Sequence, residues 1–576
     1  MKKSLTIIAM LLVAVVAQAD PIDASQAQAL AQKALKGLGR TGAALEQVAV
    51  SAETKARFGS ADAQAPAFYL FNASDNAEAN DGFVIVSGDD QLPAILGYSA
   101  EGHLAADLSD CPPALSAWLE SVSKFVAAVQ AREVEAPVRK AESTGTVIVE
   151  PLVSSKWGQD SPYNLQCPSD GSARAVTGCV ATAMAQTMYK WKWPETGRGS
   201  ESYRAEGYGT QTVRFYESEY DWSSMKDTYS LLDGRKASGK AVAKLMYDCG
   251  VATQMEYSAG GSGTTEEWAY IAMAKHFRYK CSTLDLIWRD CSNSQEEFDN
   301  VLKTELKAGR PIVFAASSSK GSGSDAAGHC YVVDGYDSND YVHINWGWDG
   351  KYDGYFAINV MDGSDYQFDQ SQRALIGIQP DYAGTDTIIN PYRPVMFAGP
   401  TTDYTSVGMN DKFTVKVDTF ANYWPAAFKA QVGIVLCDLN GNVLENASTD
   451  TQTYTLRSLT YFYLDGSTTC KLSGNYAAGD YVLRVALKNY GYDEWTLPDT
   501  WGGSMQNWLP VYIHGGKLHF NDVSTGISQV QGSREVVETK LFDLSGRQIV
   551  APQKGQVFLQ RSTYSDGTAE TVKRVK

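Results

Sequence analysis

In the stretch TGCVATAMAQTMYKWKWP, Cys179 follows a glycine and opens a run of small, helix-forming residues. A thiol at a helix start sits among unpaired backbone N–H groups at the positive end of the helix dipole, which favours the nucleophilic thiolate. The same cysteine reads equally as a small buried hydrophobe, so the chemical reading needs a partner. A nucleophilic thiol requires a base that takes its proton and later returns it to a leaving group, and histidine is the usual one. His329, in AAGHCYVVDGY, follows the glycine- and serine-rich loop SSSKGSGSDAAG and opens a strand, where an imidazole is presented on a rigid element. His343 lies mid-strand in YVHINWGW and reads as a packed residue, while His103, His276, His514 and His519 lie away from any helix-start cysteine. Asn345 offers a carboxamide to accept the second N–H of the imidazole, with Trp346 beside it to keep water from that bond. Gln159, in the loop SSKWGQDSPYN, offers an amide to donate to an oxyanion together with the N–H of Cys179.

The elements that must position these groups are legible from periodicity. Helical spacing predicts helices over 178–191, over SGKAVAKLMYDCGVAT and over SQEEFDNVLKTELKAG, the last closed by Gly309 with a proline beyond. HCYVVDGYDSNDYVHINWGWDGKYDGYFAINV alternates β-branched and aromatic residues with turn signals, which predicts consecutive antiparallel strands. Helices first and strands second make an α+β domain over 145–382. Upstream, 20–144 reads as a smaller α+β unit: a helix in ASQAQALAQKALKGLG, strands in AFYLFNA and GFVIVSGDD, and a long amphipathic helix in PPALSAWLESVSKFVAAVQAREVEA. Its end, around 136–146, is polar, small and basic, as exposed linkers are. Glycine-rich loops at 259–264 and 316–328 are candidate mobile walls of a cleft.

From about 386 onward the text is strand and turn only. Asn440-Gly441 between two apolar runs is a strong hairpin signal, and YVLRVALKNY supplies another strand, so 386–524 reads as a β-sandwich module. Residues 525–576 stand apart as a strand–turn–strand hairpin behind a polar connector.

The 576-residue chain is too long for one core, and its 44% apolar and 20% charged content is that of folded globular material. A net charge of −16, with no basic run beyond the first residues, argues against nucleic acid as the partner. MKKSLTIIAMLLVAVVAQAD carries two lysines, an apolar run and Ala17 and Ala19 in a cleavage pattern, which predicts an export signal over 1–19. Nine cysteines, an odd number without paired CxxC spacing, predict at least one free thiol and neither a disulfide scaffold nor a metal site. No cofactor is called for.

The motifs KWGQDSPYN, TGCVATAMAQTMYKWKWP, GHCYVVDGYD and NWGWDGKYDGYF, in that order, resemble those of the streptopain family of secreted cysteine peptidases, a branch of the papain-like fold. The resemblance extends upstream, where FYLFNASDNAEANDGFVIVSGDDQLPAILGYSAEG is similar to that family's inhibitory pro-domain. It implies a papain-like domain with a helical half and an antiparallel β half, made as a zymogen whose pro-domain is an intramolecular inhibitor. It implies Cys179 as nucleophile, His329 as general base and acid, Gln159 as oxyanion donor, and Asn345 and Trp346 as the less constant orienting pair. Protein or peptide substrates follow, with an apolar side chain two positions before the scissile bond. Cys330 departs from the pattern, which expects a small residue there. The last fifty residues resemble C-terminal sorting domains of the type IX kind, which implies a Gram-negative source, secretion machinery as a partner and delivery to the surface or medium. Two other readings stay open: an inactive peptidase-fold adhesin binding host proteins through its β-rich tail, and a cell-wall amidase, disfavoured by the long Cys–His separation.

Overall fold

The computed structural model describes residues 21–575 apart from 49–65, 75–81, 135–142, 318–327, 362–369, 387–393, 521–535 and shorter stretches, and after residue 535 it describes backbone strands alone. The export signal expected at 1–19, most of the linker at 136–146 and most of the loop at 316–328 lie outside the described residues. The chain divides into two compact units, 1–391 and 392–576.

The first unit opens with α1 (Ala24–Gly37), whose start is fixed by a capping box: the Asp23 side chain accepts from the Gln26 N–H, and the Gln26 side chain accepts from the Asp23 N–H. Ala27, Ala31, Ala34 and Leu35 recur at helical spacing and are buried. A meander follows, β1 (Ala44–Gln47), β2 (Phe68–Ser74), β3 (Phe83–Ser87) and β4 (Ile95–Ser99), then α2 (Pro113–Gln130). The remainder runs β5 (Val147–Val149), α3 (Cys179–Trp191), β6 (Ser200–Ala205), β7 (Gly209–Arg214), α4 (Ala237–Ala252), α5 (Glu266–Lys275), β8 (Asp285–Trp288) and α6 (Gln295–Lys307). It closes with β9 (Ile312–Ser317), β10 (Gly328–Asp337), β11 (Val342–Asn345), β12 (Gly354–Phe356) and β13 (Gln370–Ile376). The expected helices and the β10–β11–β12 run fall where periodicity put them.

The sequence does not announce that the two halves share one sheet. Its order is β1-β2-β3-β4-β12-β11-β10-β9-β13-β8, with β5 pairing β10. The join is antiparallel, β4 against β12, with Tyr98 opposite Tyr355 and Gly97 opposite Phe356. A Cβ on Gly97 would stand 2.7 Å from the Phe356 ring, so the bare glycine lets that ring lie over the strand. One hydrophobic core spans the join. In it Trp118 of α2 meets Phe356 edge-on at 5.6 Å, and Phe83 of β3 stands 6.3 Å from both Tyr352 and Phe356.

In the second unit every described regular element is a strand. Phe428–Cys437 pairs with Val443–Asn446 across the expected turn, where Gly441 takes a positive φ of 86°, and with Gly479–Asn489 on its other side. Beyond the connector, Val536–Phe542, Gln548–Ile549, Val557–Tyr564 and Ala569–Val575 form a four-stranded antiparallel sheet of their own, where the sequence had suggested a single hairpin.

A second tie across the first unit is polar. Asp337, at the end of β10, is fully buried. Its Oδ2 accepts from the Tyr98 hydroxyl at 2.8 Å and the Gly145 N–H at 3.0 Å, while its Oδ1 accepts from the N–H groups of Asn339 and Tyr341. The adjoining turn holds the same incoming segment, since Ser338 Oγ accepts from the Thr146 N–H and Asn339 donates to the Ser143 carbonyl. One carboxylate thus joins β4, the end of the linker and the β10–β11 turn. Tyr98→Phe removes a donor from that buried site and is expected to destabilise the first unit by about 1–3 kcal/mol. The readout is the midpoint of thermal or urea unfolding, and an unchanged midpoint would show that this bond contributes nothing.

Candidate active site

Cys179 is the first residue of α3, and the glycine before it explains the geometry. Gly178 occupies the cap with φ 88°, and a Cβ there would lie 2.7 Å from the Met255 thioether and 3.0 Å from the Ser262 carbonyl. The cap carries no side-chain hydrogen bond, so the first-turn N–H groups are left to the thiol. The backbone N–H groups of Cys330, Val180 and Cys179 itself favour charge on the sulfur. Burial nevertheless dominates and raises the thiol above its ordinary value; those N–H groups oppose the rise and the Glu266 carboxylate adds to it.

His329 stands near the start of β10, opposite Ala316 of β9. Burial alone pushes its imidazole down to about 4. Gln159 is tied to the nucleophile's approach segment through its backbone, because its carbonyl accepts from the Thr177 N–H at 3.1 Å. Cys179, His329, Gln159 and Trp346 all line one cleft of about 1280 Å³. The loop at 258–263 forms another wall, pinned by the Ser262 hydroxyl donating to Val176 O at 2.7 Å. Pro112, Pro113 and Ala114 also line the cleft, so the first turn of α2 from the N-terminal region faces the thiol and the imidazole across it.

Asn345 requires a correction. It does not line this cleft, and both acceptor positions of its Oδ1 are taken, by Gln186 Nε2 at 2.9 Å and the Gly347 N–H at 3.0 Å. Its Nδ2 donates to the Ser155 carbonyl at 2.7 Å. The expected bond to the imidazole of His329 therefore has no free acceptor here. The residue it meets was missed by sequence reading: Gln186, two turns along α3 from Cys179. Gln186 Oε1 accepts from the Ser155 hydroxyl at 3.0 Å and the Trp157 N–H at 3.1 Å. The seven-residue spacing from Cys179, which returns to the same helix face, was the available signal. Together the two carboxamides fasten α3, the 155–157 segment that leads to Gln159, and the exit of β11. Trp346, by contrast, faces the cleft, with its indole N–H on the Tyr352 carbonyl at 3.0 Å and its ring against Tyr331 and Phe356.

The other histidines are accounted for structurally. His343 bonds Asp334 at 2.6 Å and packs edge-on against Tyr355 at 5.1 Å, as expected of a packed residue. His276 is buried beside Phe215, its ring nitrogen 3.1 Å from the Arg198 carbonyl. Among the described residues no cluster of His, Cys, Asp and Glu is arranged to hold a metal ion.

A helix-start thiol and a strand-start imidazole facing one cleft, between a helical half and an antiparallel sheet, define a papain-like cysteine peptidase domain. Residues 157–356 match the model of the Peptidase C10 family, and residues 19–126 match that of the Spi protease inhibitor. The chain thus carries a peptidase C10, or streptopain-family, domain with a Spi-inhibitor-type pro-domain ahead of it. It is 30% identical over 386 residues to the thiol protease/hemagglutinin PrtT of Porphyromonas gingivalis, a match covering 63% of this chain and 42% of that protein. It is 28% identical over 343 residues to streptopain of Streptococcus pyogenes, covering 54% of this chain and 80% of that one. Among solved structures, a prointerpain A fragment of Prevotella intermedia aligns at 27% identity and a TM-score of 0.47, over 59% of this chain and all of the fragment.

The electrostatics of the described state are those of an idle pair. A thiol raised by burial and an imidazole held to about 4 are both neutral near pH 7, so no imidazolium is present to stabilise a thiolate. In the full-length chain, alkylation of Cys179 by iodoacetamide is expected to stay slow between about pH 5 and 8. Once the pro-domain is cut away and Pro112–Ala114 leave the cleft, the imidazole is expected to rise and the thiol to fall, so that alkylation near pH 6 quickens by about tenfold or more. Equal rates before and after cleavage would refute this account.

Proposed function

We propose that the protein is a secreted cysteine endopeptidase, made as a zymogen, that hydrolyses protein substrates through an acyl-enzyme on Cys179. The observation that carries this reading is the convergence of Cys179, His329 and Gln159 on one cleft, with pro-domain residues 112–114 facing them. In the reaction, His329 takes the thiol proton and the sulfur attacks the scissile carbonyl. The oxyanion that forms is met by the Gln159 amide and the backbone N–H of Cys179. His329 then protonates the leaving amine, and in the second half it activates the water that releases the acid. Trp346 shields the imidazole side of the cleft, while Asn345 acts at one remove by fixing α3 through Gln186. The aromatic and small residues Tyr203, Ala205 and Tyr257 on the cleft wall suit an apolar side chain near the scissile bond, in keeping with the preference the family likeness implies two positions before it.

Cys179→Ala is expected to abolish casein cleavage and labelling by an epoxysuccinyl inhibitor and to accumulate uncut, whereas the wild-type chain shortens from its N-terminal side. Casein cleavage by Cys179→Ala equal to that of wild type would overturn the catalytic assignment. If neither protein cleaves casein, the reading of an inactive peptidase-fold adhesin takes its place.

Delivery is the second part of the proposal. The separate sheet at 536–575 supports reading residues 525–576 as a sorting signal for outer-membrane secretion in a Gram-negative host, downstream of an export signal at 1–19. No helix among the described residues is long and apolar enough to cross a membrane. Deleting 525–576 in the native host is expected to leave active enzyme in the periplasm, and unchanged delivery to the surface or medium would dismiss the signal.

A further inference from the structure

Two thiols line the cleft. Cys330 follows His329 on β10, and it and Cys179 are both free cysteines on the same cavity wall. Cys179 is the first residue of α3, and α3 packs on β10, so the two cysteines lie where that helix start approaches the strand. Strand alternation sets the direction. Tyr331 and Val333 belong to the core shared with the pro-domain, so Cys330 and Val332 face the other side of β10, where α3 packs. Nothing in acyl transfer uses this second thiol, and the family resemblance predicts a small residue in its place.

We propose that Cys330 is a resolving thiol: when a peroxide oxidises Cys179, Cys330 closes a Cys179–Cys330 disulfide that an external dithiol can reopen. The inference rests on Cys179 being the reactive thiol of the proposed function. The first step converts the Cys179 thiol and one hydrogen peroxide into a sulfenic acid and one water. In the second, the Cys330 sulfur attacks the sulfenic sulfur, the sulfur–oxygen bond breaks, and the hydroxide leaves with the Cys330 proton as a second water. Reduction by a dithiol returns both thiols and leaves the reductant as its own disulfide. The order of events follows from the environments. Cys330 is 3% exposed and burial holds its thiol well above the ordinary value, so peroxide meets Cys179 first. A disulfide diverts the sulfenic acid before further peroxide carries it to the sulfinic and sulfonic acids, which a dithiol does not reverse.

The test treats processed wild type and processed Cys330→Ala with a several-fold molar excess of hydrogen peroxide, then with dithiothreitol. Intact mass, peptide mapping and casein cleavage are read, each protein against its own untreated activity. Wild type is expected to lose two hydrogens in mass, to yield a cross-linked peptide pair containing Cys179 and Cys330, and to recover its lost activity fully. Cys330→Ala is expected to gain two or three oxygens on Cys179 and to recover none. Wild type that gains oxygens on Cys179 without the cross-link, or Cys330→Ala that recovers as fully as wild type, overturns the proposal. Cys179→Ala separates the two readings: if that variant still cleaves casein, the catalytic assignment fails, whereas the peptide map decides the disulfide independently of activity.

Discussion

The pairing of β4 with β12 is the constraint on which the first unit depends. It makes the pro-domain a continuation of the catalytic sheet, so that backbone hydrogen bonds and one apolar core both cross the boundary between inhibitor and enzyme. Inhibition follows from that placement. α2 packs in the same core as β4, and its first turn lies at the cleft.

Burial of the two reacting groups is what connects the architecture to the chemistry. The groups that acyl transfer asks to be charged as a pair are the ones burial neutralises, the thiol from above and the imidazole from below. The helix start at Cys179 is already in place, as is the Gln186–Asn345 bridge that fixes α3. What the described state lacks is a charged pair rather than an assembled site.

Much of this was legible in the sequence, and the remainder was hidden for identifiable reasons. Cys179 was marked by local signals, a glycine cap and a run of small residues, and His329 by the loop and strand around it. The helix boundaries were found because α3, α4 and α6 carry their own periodicity. Asn345 was misplaced because its neighbour Trp346 does face the cleft, and adjacent strand residues point opposite ways; proximity in sequence to the right residue put it on the wrong side. Its true partner, Gln186, is 159 positions away, and nothing local to either residue names the other. The β4–β12 join was invisible for the same reason, since each strand reads as an ordinary member of its own meander.

The bond between Tyr98 and Asp337 spans 239 positions of chain. During synthesis the pro-domain emerges first, with β4 complete, and its edge partner β12 comes off the ribosome only after Asp337 and the rest of β10 and β11 have been made. Through that interval an apolar strand edge waits unpaired, the kind of surface that recruits other chains. The pairing that ends the wait joins residues remote in sequence and carries the loop-closure cost of such contacts. The pro-domain therefore leaves the ribosome as a half-built sheet that the catalytic domain completes, and for the newborn chain their union is a matter of protection from its neighbours before it is one of restraint.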